Sequence, residues 1–267
     1  MSEYSVGFIG TGNIAGAIFS GIVNSGYIKP KNCFVFDLDF NKTKSFTEKG
    51  ANYLSSAKEL TSVCDFIFLT VKPQIYPAVL DEIKSASKNT CFIDVAAGIS
   101  ISYVKEYLGA DTHVVRAMPN TPLMCGMGST ALVKAEPVTD AEFDFVKGCF
   151  DSSGITILVD ESMINVITAI SGSAPAYVMQ LASYMIDFGV RSGLDPADCK
   201  KLVLQVFAGS AKLASDSSSS IDQLIKNVTS PNGTTEAGLK SLSLNCLSKT
   251  VDDCLKATVN RAEELSK

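Results

Sequence analysis

The hydrophobic pattern of the chain changes character once. Before about residue 160, short apolar runs alternate with amphipathic segments; after it the strand-like runs stop. Val6-Gly7-Phe8-Ile9, Cys33-Phe34-Val35-Phe36, Phe66-Ile67-Phe68-Leu69-Thr70-Val71, Cys91-Phe92-Ile93-Asp94-Val95, Val114-Val115, Thr130-Ala131-Leu132-Val133 and Ile155-Thr156-Ile157-Leu158-Val159 read as buried strands. A sheet covered on both faces needs such continuous apolar runs. Ile14, Ile18 and Ile22 fall on one helical face, Ser56-Ala57-Lys58-Glu59 reads as a capping box, and Thr139-Asp140-Ala141-Glu142 opens a further helix. Alternating strands and helices predict a doubly wound, mostly parallel sheet, with ligands at the carboxyl ends of its strands. Beyond residue 160 the pattern predicts helices over 161–170, 174–193, 196–215, 220–229 and 234–265. Asp195-Pro196 supplies a cap and a first-turn proline, and Ser220-Ile221-Asp222-Gln223 a capping box. Recurrent small residues (Ala174, Ala176, Ala182, Ala208, Gly209, Ala211, Ala214) permit close helix contact within or between chains.

The first strand runs into Gly10-Thr11-Gly12-Asn13-Ile14-Ala15-Gly16. This is a G-x-G-x-x-A dinucleotide fingerprint in the strand–turn–helix context that the motif requires. The small residues allow a tight turn and close approach of a pyrophosphate. Asp37 ends the second strand, where an acid is placed to accept ribose hydroxyls; Asp39 is the alternative, and an acid after a strand is also common without any ligand. The segments 70–73, 96–98 and 118–121 fall on the same sheet edge. The expected architecture is therefore α/β: a Rossmann-type dinucleotide-binding domain over 1–160 and an all-helical substrate-binding and dimerisation domain over 161–267.

Composition narrows the function classes. A hydrophobic fraction of 46% in 267 residues supports a buried core. A net charge of −5 without a basic cluster argues against nucleic acid or an anionic membrane as partner. No apolar run approaches a membrane span, and the start of the chain lacks the pattern of a secretory signal, so a cytoplasmic protein is expected. The eight cysteines are scattered without a Cys-x-x-Cys pair; no metal site is expected, and reduced thiols suit a cytosol. His113 is the one histidine, and its place at a strand start favours a structural role.

The stretch Val228-Thr229-Ser230-Pro231-Asn232-Gly233-Thr234-Thr235-Glu236-Ala237-Gly238-Leu239 reads as helix, break, helix. Pro231 stops the first helix, Asn232-Gly233 is a turn pair tolerant of positive φ, and Thr234 and Thr235 open the second. A helix start exposes unpaired N–H groups and partial positive charge, so it can hold a carboxylate; it also serves simply as a capped turn.

Gly10-Thr11-Gly12-Asn13-Ile14-Ala15, Val71-Lys72-Pro73, Ala96-Ala97-Gly98, Arg116-Ala117-Met118-Pro119-Asn120-Thr121-Pro122, Ser171-Gly172-Ser173-Ala174-Pro175-Ala176-Tyr177 and Ser230-Pro231-Asn232-Gly233-Thr234-Thr235 occur in this order. The set resembles the pyrroline-5-carboxylate reductase family over the whole chain from Val6, and the last block resembles that family's signature. The resemblance implies reduction of 1-pyrroline-5-carboxylate to proline by NADPH or NADH, the last step of proline biosynthesis, in a dimer with interlocked helical domains. It implies coenzyme contacts at Gly10, Thr11, Gly12, Asn13, Ile14, Asp37, Thr70, Val71, Lys72, Pro73, Ala96, Ala97, Gly98, Asn120 and Asn227. It implies substrate contacts at Glu161, Ser230, Gly233, Thr234 and Thr235, with Thr235 beside the ring nitrogen.

The chain departs from that family pattern at three places. Asn232 and Ala174 stand where glycine is common, and Asp37 where NADPH-using members often carry Ser or Thr. Two other readings are weighed. A β-hydroxyacid dehydrogenase would place a catalytic Lys, with Asn four residues on, after Ser171-Gly172-Ser173, and no such pair occurs. A non-enzymatic nucleotide sensor would keep the glycine loop without needing the 230–235 cradle.

Overall fold

The computed structural model describes residues 3–85 and 90–265. Its strands are β1 (Val6–Ile9), β2 (Cys33–Phe36), β3 (Asn52–Tyr53), β4 (Phe66–Leu69), β5 (Cys91–Asp94), β6 (His113–Met118), β7 (Gly128–Lys134) and β8 (Gly154–Leu158). Its α-helices are α1 (Asn13–Asn24), α2 (Phe40–Thr47), α3 (Ala57–Val63), α4 (Tyr76–Ile83), α5 (Ile101–Leu108), α6 (Asp140–Asp151), α7 (Ile164–Ile167), α8 (Ala174–Arg191), α9 (Pro196–Asp216), α10 (Ile221–Asn227), α11 (Thr234–Leu244) and α12 (Leu247–Leu265).

The strands form one eight-stranded sheet in the order β3-β2-β1-β4-β5-β6-β7-β8. Every pair is parallel except β6 with β7. That exception follows from the connection between them, a 3₁₀ turn over Thr121–Cys125 with no crossover helix. The order reverses between β1 and β4, so the loops after these two strands flank the switch point, where such sheets bind ligands. Register aligns Phe36, Ile9, Leu69, Asp94 and Arg116 in one row near the carboxyl edge.

Alternation along the strands splits the core between the two faces. Phe8, Phe68 and Ile93 pack with Ile18 and Phe19 of α1 and Val146 and Phe150 of α6. Ile67, Leu69 and Phe92 pack with Leu60 of α3, Leu80 and Ile83 of α4 and Val104 of α5. β4 is buried at all four positions, as its unbroken apolar run predicts.

The chain divides into two compact units, residues 1–175 with 258–267, and residues 176–257. The first unit therefore runs past the boundary expected at 160. Ile164 and Ile167 of α7 are buried in the same cluster as Met118, Ala131 and Val133, which ties the segment after β8 to the sheet. The helical unit shows a different balance. Of its helices α8 to α11, only Ala182 and Cys199 are buried. Met179, Tyr184, Phe188 and Leu202 are all more than 60% exposed.

Two helical expectations need correction. The single helix expected over 234–265 is broken at Asn245 and Cys246, where Cys246 takes φ 56° and the Asn245 side chain donates to the Ser241 carbonyl. The capping boxes at 56–59 and 220–223 are half-formed. Ser56 and Ser220 do cap their helices, but Glu59 turns its carboxylate to the amide and hydroxyl of Ser55, and Gln223 donates to Asn227. Only Thr139 and Glu142 close a full box.

Candidate active site

The glycine loop is built for an anion. Gly10 takes φ +93°, and a Cβ there would stand 2.8 Å from Val71 Cγ1. A Cβ on Gly12 would meet nothing within 4 Å, so its missing side chain faces open space. α1 begins at once, with Gly12 as its cap and no side-chain hydrogen bond to its first turn. The first-turn N–H groups are thus left for a ligand, and these residues fit a dinucleotide pyrophosphate. Beside the loop lies a cleft of about 400 Å³, lined among others by Gly10, Gly12, Asp37, Lys42, Thr70 and Lys72.

Asp37 is held by the loop it serves. Its Oδ2 accepts from the Thr11 amide at 2.8 Å and the Thr11 hydroxyl at 3.0 Å, and its Oδ1 from the Asp39 amide at 2.9 Å. Partial burial pushes this carboxyl up, but the two amides, the Thr11 hydroxyl and the Lys42 charge outweigh it and hold it below its ordinary value. Two lone pairs per oxygen leave Asp37 one acceptor position beyond these three bonds. Asp39 is used differently, as the cap of α2.

Thr70 is committed to the backbone, its hydroxyl lying against the carbonyls of Ile9 and Gly10. It closes β1 against β4 and positions the Val71-Lys72-Pro73 segment. Lys72 is exposed on the cleft wall. Ala96, Ala97 and Gly98 follow β5, with Gly98 at φ +81° and so close to Leu265 that a Cβ would fall 2.8 Å from its carbonyl oxygen.

Two expected contact residues are already engaged. Asn120 is buried, donating to the Ser129 hydroxyl at 2.9 Å and accepting from the Ser129 amide at 3.0 Å, with Ser171 close by. Glu161 Oε1 accepts from the Ile101 amide at the start of α5 at 2.9 Å and from Arg116 at 2.8 Å. Both residues therefore set loops. Arg116, Asp94 and Tyr76 form a buried polar group, whose signal in the sequence is an Asp and an Arg inside apolar strands, where each needs partners.

His113 is paired with the start of α6. Its Nδ1 sits 2.8 Å from Glu142, the carboxylate that completes the box at α6. Burial pushes Glu142 up, but the Thr139 amide and hydroxyl and His113 hold it below its usual value. A depressed carboxyl contributes stability above the unfolded pKa and loses it as pH falls through the folded one. Glu142→Gln should therefore cost about 1–2 kcal/mol at neutral pH. Thermal melts should show that gap closing in acid; a gap independent of pH would overturn the assignment.

In the helical unit, Asn232 takes φ 60°, and its amide donates to Glu236 at 2.6 Å. Gly233 caps α11 with no side-chain hydrogen bond, and a Cβ there would strike Ser230 Oγ at 2.3 Å. Among the described residues the hydroxyls of Ser230, Thr234 and Thr235 make no hydrogen bond. The result is a helix start without a side-chain cap, with three unpartnered hydroxyls beside it. Asn227, at the end of α10, accepts from Gln223 at 2.8 Å.

Comparison with known proteins places this geometry. A pyrroline-5-carboxylate reductase of Staphylococcus saprophyticus is 36% identical over 263 residues, covering 97% of each chain. The chain belongs to the pyrroline-5-carboxylate reductase family. An Escherichia coli reductase of this family is 33% identical over 99% of each chain. The crystal structure of Plasmodium falciparum pyrroline carboxylate reductase with NADP bound superposes with a TM-score of 0.93 at 34% identity, covering all of both chains. The family model for pyrroline-5-carboxylate reductase dimerisation matches residues 161–265, and that for NADP oxidoreductase, coenzyme F420-dependent, matches residues 5–98. Family membership removes the β-hydroxyacid dehydrogenase alternative.

Proposed function

We propose that this chain reduces 1-pyrroline-5-carboxylate to proline with NADPH or NADH, the last step of proline biosynthesis. The observation that carries the reading is the α11 start, which has no side-chain cap and stands beside the unpartnered hydroxyls of Ser230, Thr234 and Thr235. The first-turn amides of α1 bind the pyrophosphate, Asp37 takes a ribose hydroxyl, and the segments 70–73 and 96–98 line the coenzyme. The amides of Thr234 and Thr235 and the Ser230 hydroxyl hold the substrate carboxylate, with Gly233 keeping room for that hydroxyl. Thr235 meets the ring nitrogen. The bound nicotinamide supplies a hydride to the imine carbon. A cyclic imine takes its proton from water readily, so the protein needs to orient the reactants more than to supply a strong acid.

The test is oxidation of NADPH and of NADH followed by absorbance with 1-pyrroline-5-carboxylate as substrate. Turnover supports the reading. Coenzyme binding without turnover would favour a nucleotide sensor.

The active unit in this reading is a dimer built through the helical unit. Helices that bury only Ala182 and Cys199 while exposing Phe188 and Tyr184 need a second copy to complete a core. Light scattering at working concentration should show no active monomer; an active monomer would refute it. Among the described residues no cysteine is in a disulfide, which suits the reducing cytosol we assign as its compartment. Among the described residues no helix is long and apolar enough to cross a membrane.

A further inference from the structure

Beneath the Ala96-Ala97-Gly98 segment lies a polar cluster with one proton too few. Asp94, the last residue of β5, is fully buried. Its Oδ1 lies 2.5 Å from the Tyr76 hydroxyl and 2.9 Å from the Ala96 amide. The same Tyr76 hydroxyl lies 2.9 Å from the Leu69 carbonyl. A phenol has one proton, yet Tyr76 faces two oxygens that only accept if Asp94 is ionised. Asp94 Oδ2 is buried without a hydrogen-bond partner, and so is Arg116 Nε, which pairs with it only at the ion-pair limit of 4.0 Å. That separation is too long for a hydrogen bond. The close contact of Arg116 is with Glu161, at 2.8 Å, so its charge offsets only part of the burial cost at Asp94. An ionised Asp94 would therefore be a carboxylate with a bare oxygen in the core, a costly state.

We propose that Asp94 is held as a neutral acid that donates to Tyr76, and that this pair is the positioning device for the 95–100 turn at the coenzyme edge. The Asp94 proton then lies on Oδ1 and is donated to the Tyr76 oxygen, and the Tyr76 proton goes to the Leu69 carbonyl. Every contact has one donor and one acceptor, and Oδ1 still receives the Ala96 amide. The front of the turn is fixed through Ala96 and the back through the Ile101 amide on Glu161. Burial pushes Asp94 up to about 7, so the acid titrates near neutrality. The titratable and charged groups that face it are Tyr76 from α4, Arg116 from β6 and Glu161 from the turn after β8. On ionisation, Tyr76 must swing its proton from Leu69 to Asp94, and Oδ2 is drawn towards Arg116. Both moves pull on the turn.

The protonation state stands on the geometry alone; its effect on coenzyme rests on the function proposed above. The test uses the whole protein, with NADH as the probe because it lacks the titrating 2′-phosphate. Infrared difference spectra across neutrality should show a protonated carboxyl band that disappears as pH rises, absent from Asp94→Asn. NADH affinity of the wild type should fall about fivefold or more over the same range. Asp94→Asn, which cannot ionise and whose amide oxygen can still accept from Ala96, should make NADH affinity independent of pH over this range. Stability supplies a third readout. A carboxyl raised above its unfolded value loses stability as pH rises from about 4 to about 7, and the Asn variant should lack that slope. The wild-type titrations require no variant to fold. Absence of the carboxyl band near neutrality overturns the neutral acid. A band with pH-independent NADH affinity overturns the positioning role. Neither result depends on turnover of 1-pyrroline-5-carboxylate, so failure of the proposed reaction would be seen separately.

Discussion

Thr235→Ala should lower kcat by roughly tenfold to a hundredfold, the equivalent of about 1–3 kcal/mol for one hydrogen bond made mainly in the transition state. The hydroxyl has no partner among the described residues, so its removal leaves no orphaned group in the chain. Helix α11 should form as before, because its start uses Gly233 as cap and not the Thr235 side chain. The loss is therefore expected in turnover, with NADPH affinity and melting temperature near wild type. Thr235→Ser keeps the hydroxyl and should recover most of the rate. Steady-state kinetics beside coenzyme fluorescence titration separate these effects, and unchanged turnover in the alanine variant would remove Thr235 from the site.

The second large effect is expected at Asp37. An ionised carboxylate with one acceptor position left takes a ribose hydroxyl of NADH and repels the 2′-phosphate of NADPH. Lys42 lines the same cleft and offsets part of that repulsion, whereas Lys44 is not on the cleft wall. Use of both coenzymes is expected, with NADPH less favoured than in members carrying Ser here. Asp37→Ser removes the charge and leaves a donor, so the ratio of kcat/KM for NADPH over NADH should rise by about tenfold or more. Both absolute values should fall somewhat, because the variant also loses the carboxylate that ties down Thr11. A ratio that does not move would take Asp37 away from the ribose.

What could be read in the sequence was what apolar periodicity encodes. The runs at 6–9 and 33–36 became β1 and β2 without change, and the glycine loop and its helix followed. β3 was invisible because Asn52 and Tyr53 are both exposed, and two residues carry no period. The break at Cys246 was missed because no Gly or Pro marks it. For the site, residue type was legible and commitment was not. Asn120 and Glu161 were expected at ligands, and each is in addition engaged by residues distant in the chain, Ser129 and Ser171 for one, Ile101 and Arg116 for the other. Such engagements depend on register across the sheet, which pairs Asp94 with Arg116 and is not written in any local pattern.

The helical unit has a surface and almost no interior, and this makes its folding a reaction between two chains. A newly made copy can complete its sheet alone, but its helices α8 to α11 hold their apolar residues in water until a second copy arrives. Stability of that half is then set by how many copies are present, since mass action enters its free energy directly. Dilution acts on it as a denaturant would, and the cell gains active sites faster than it gains chains as expression rises from a low level.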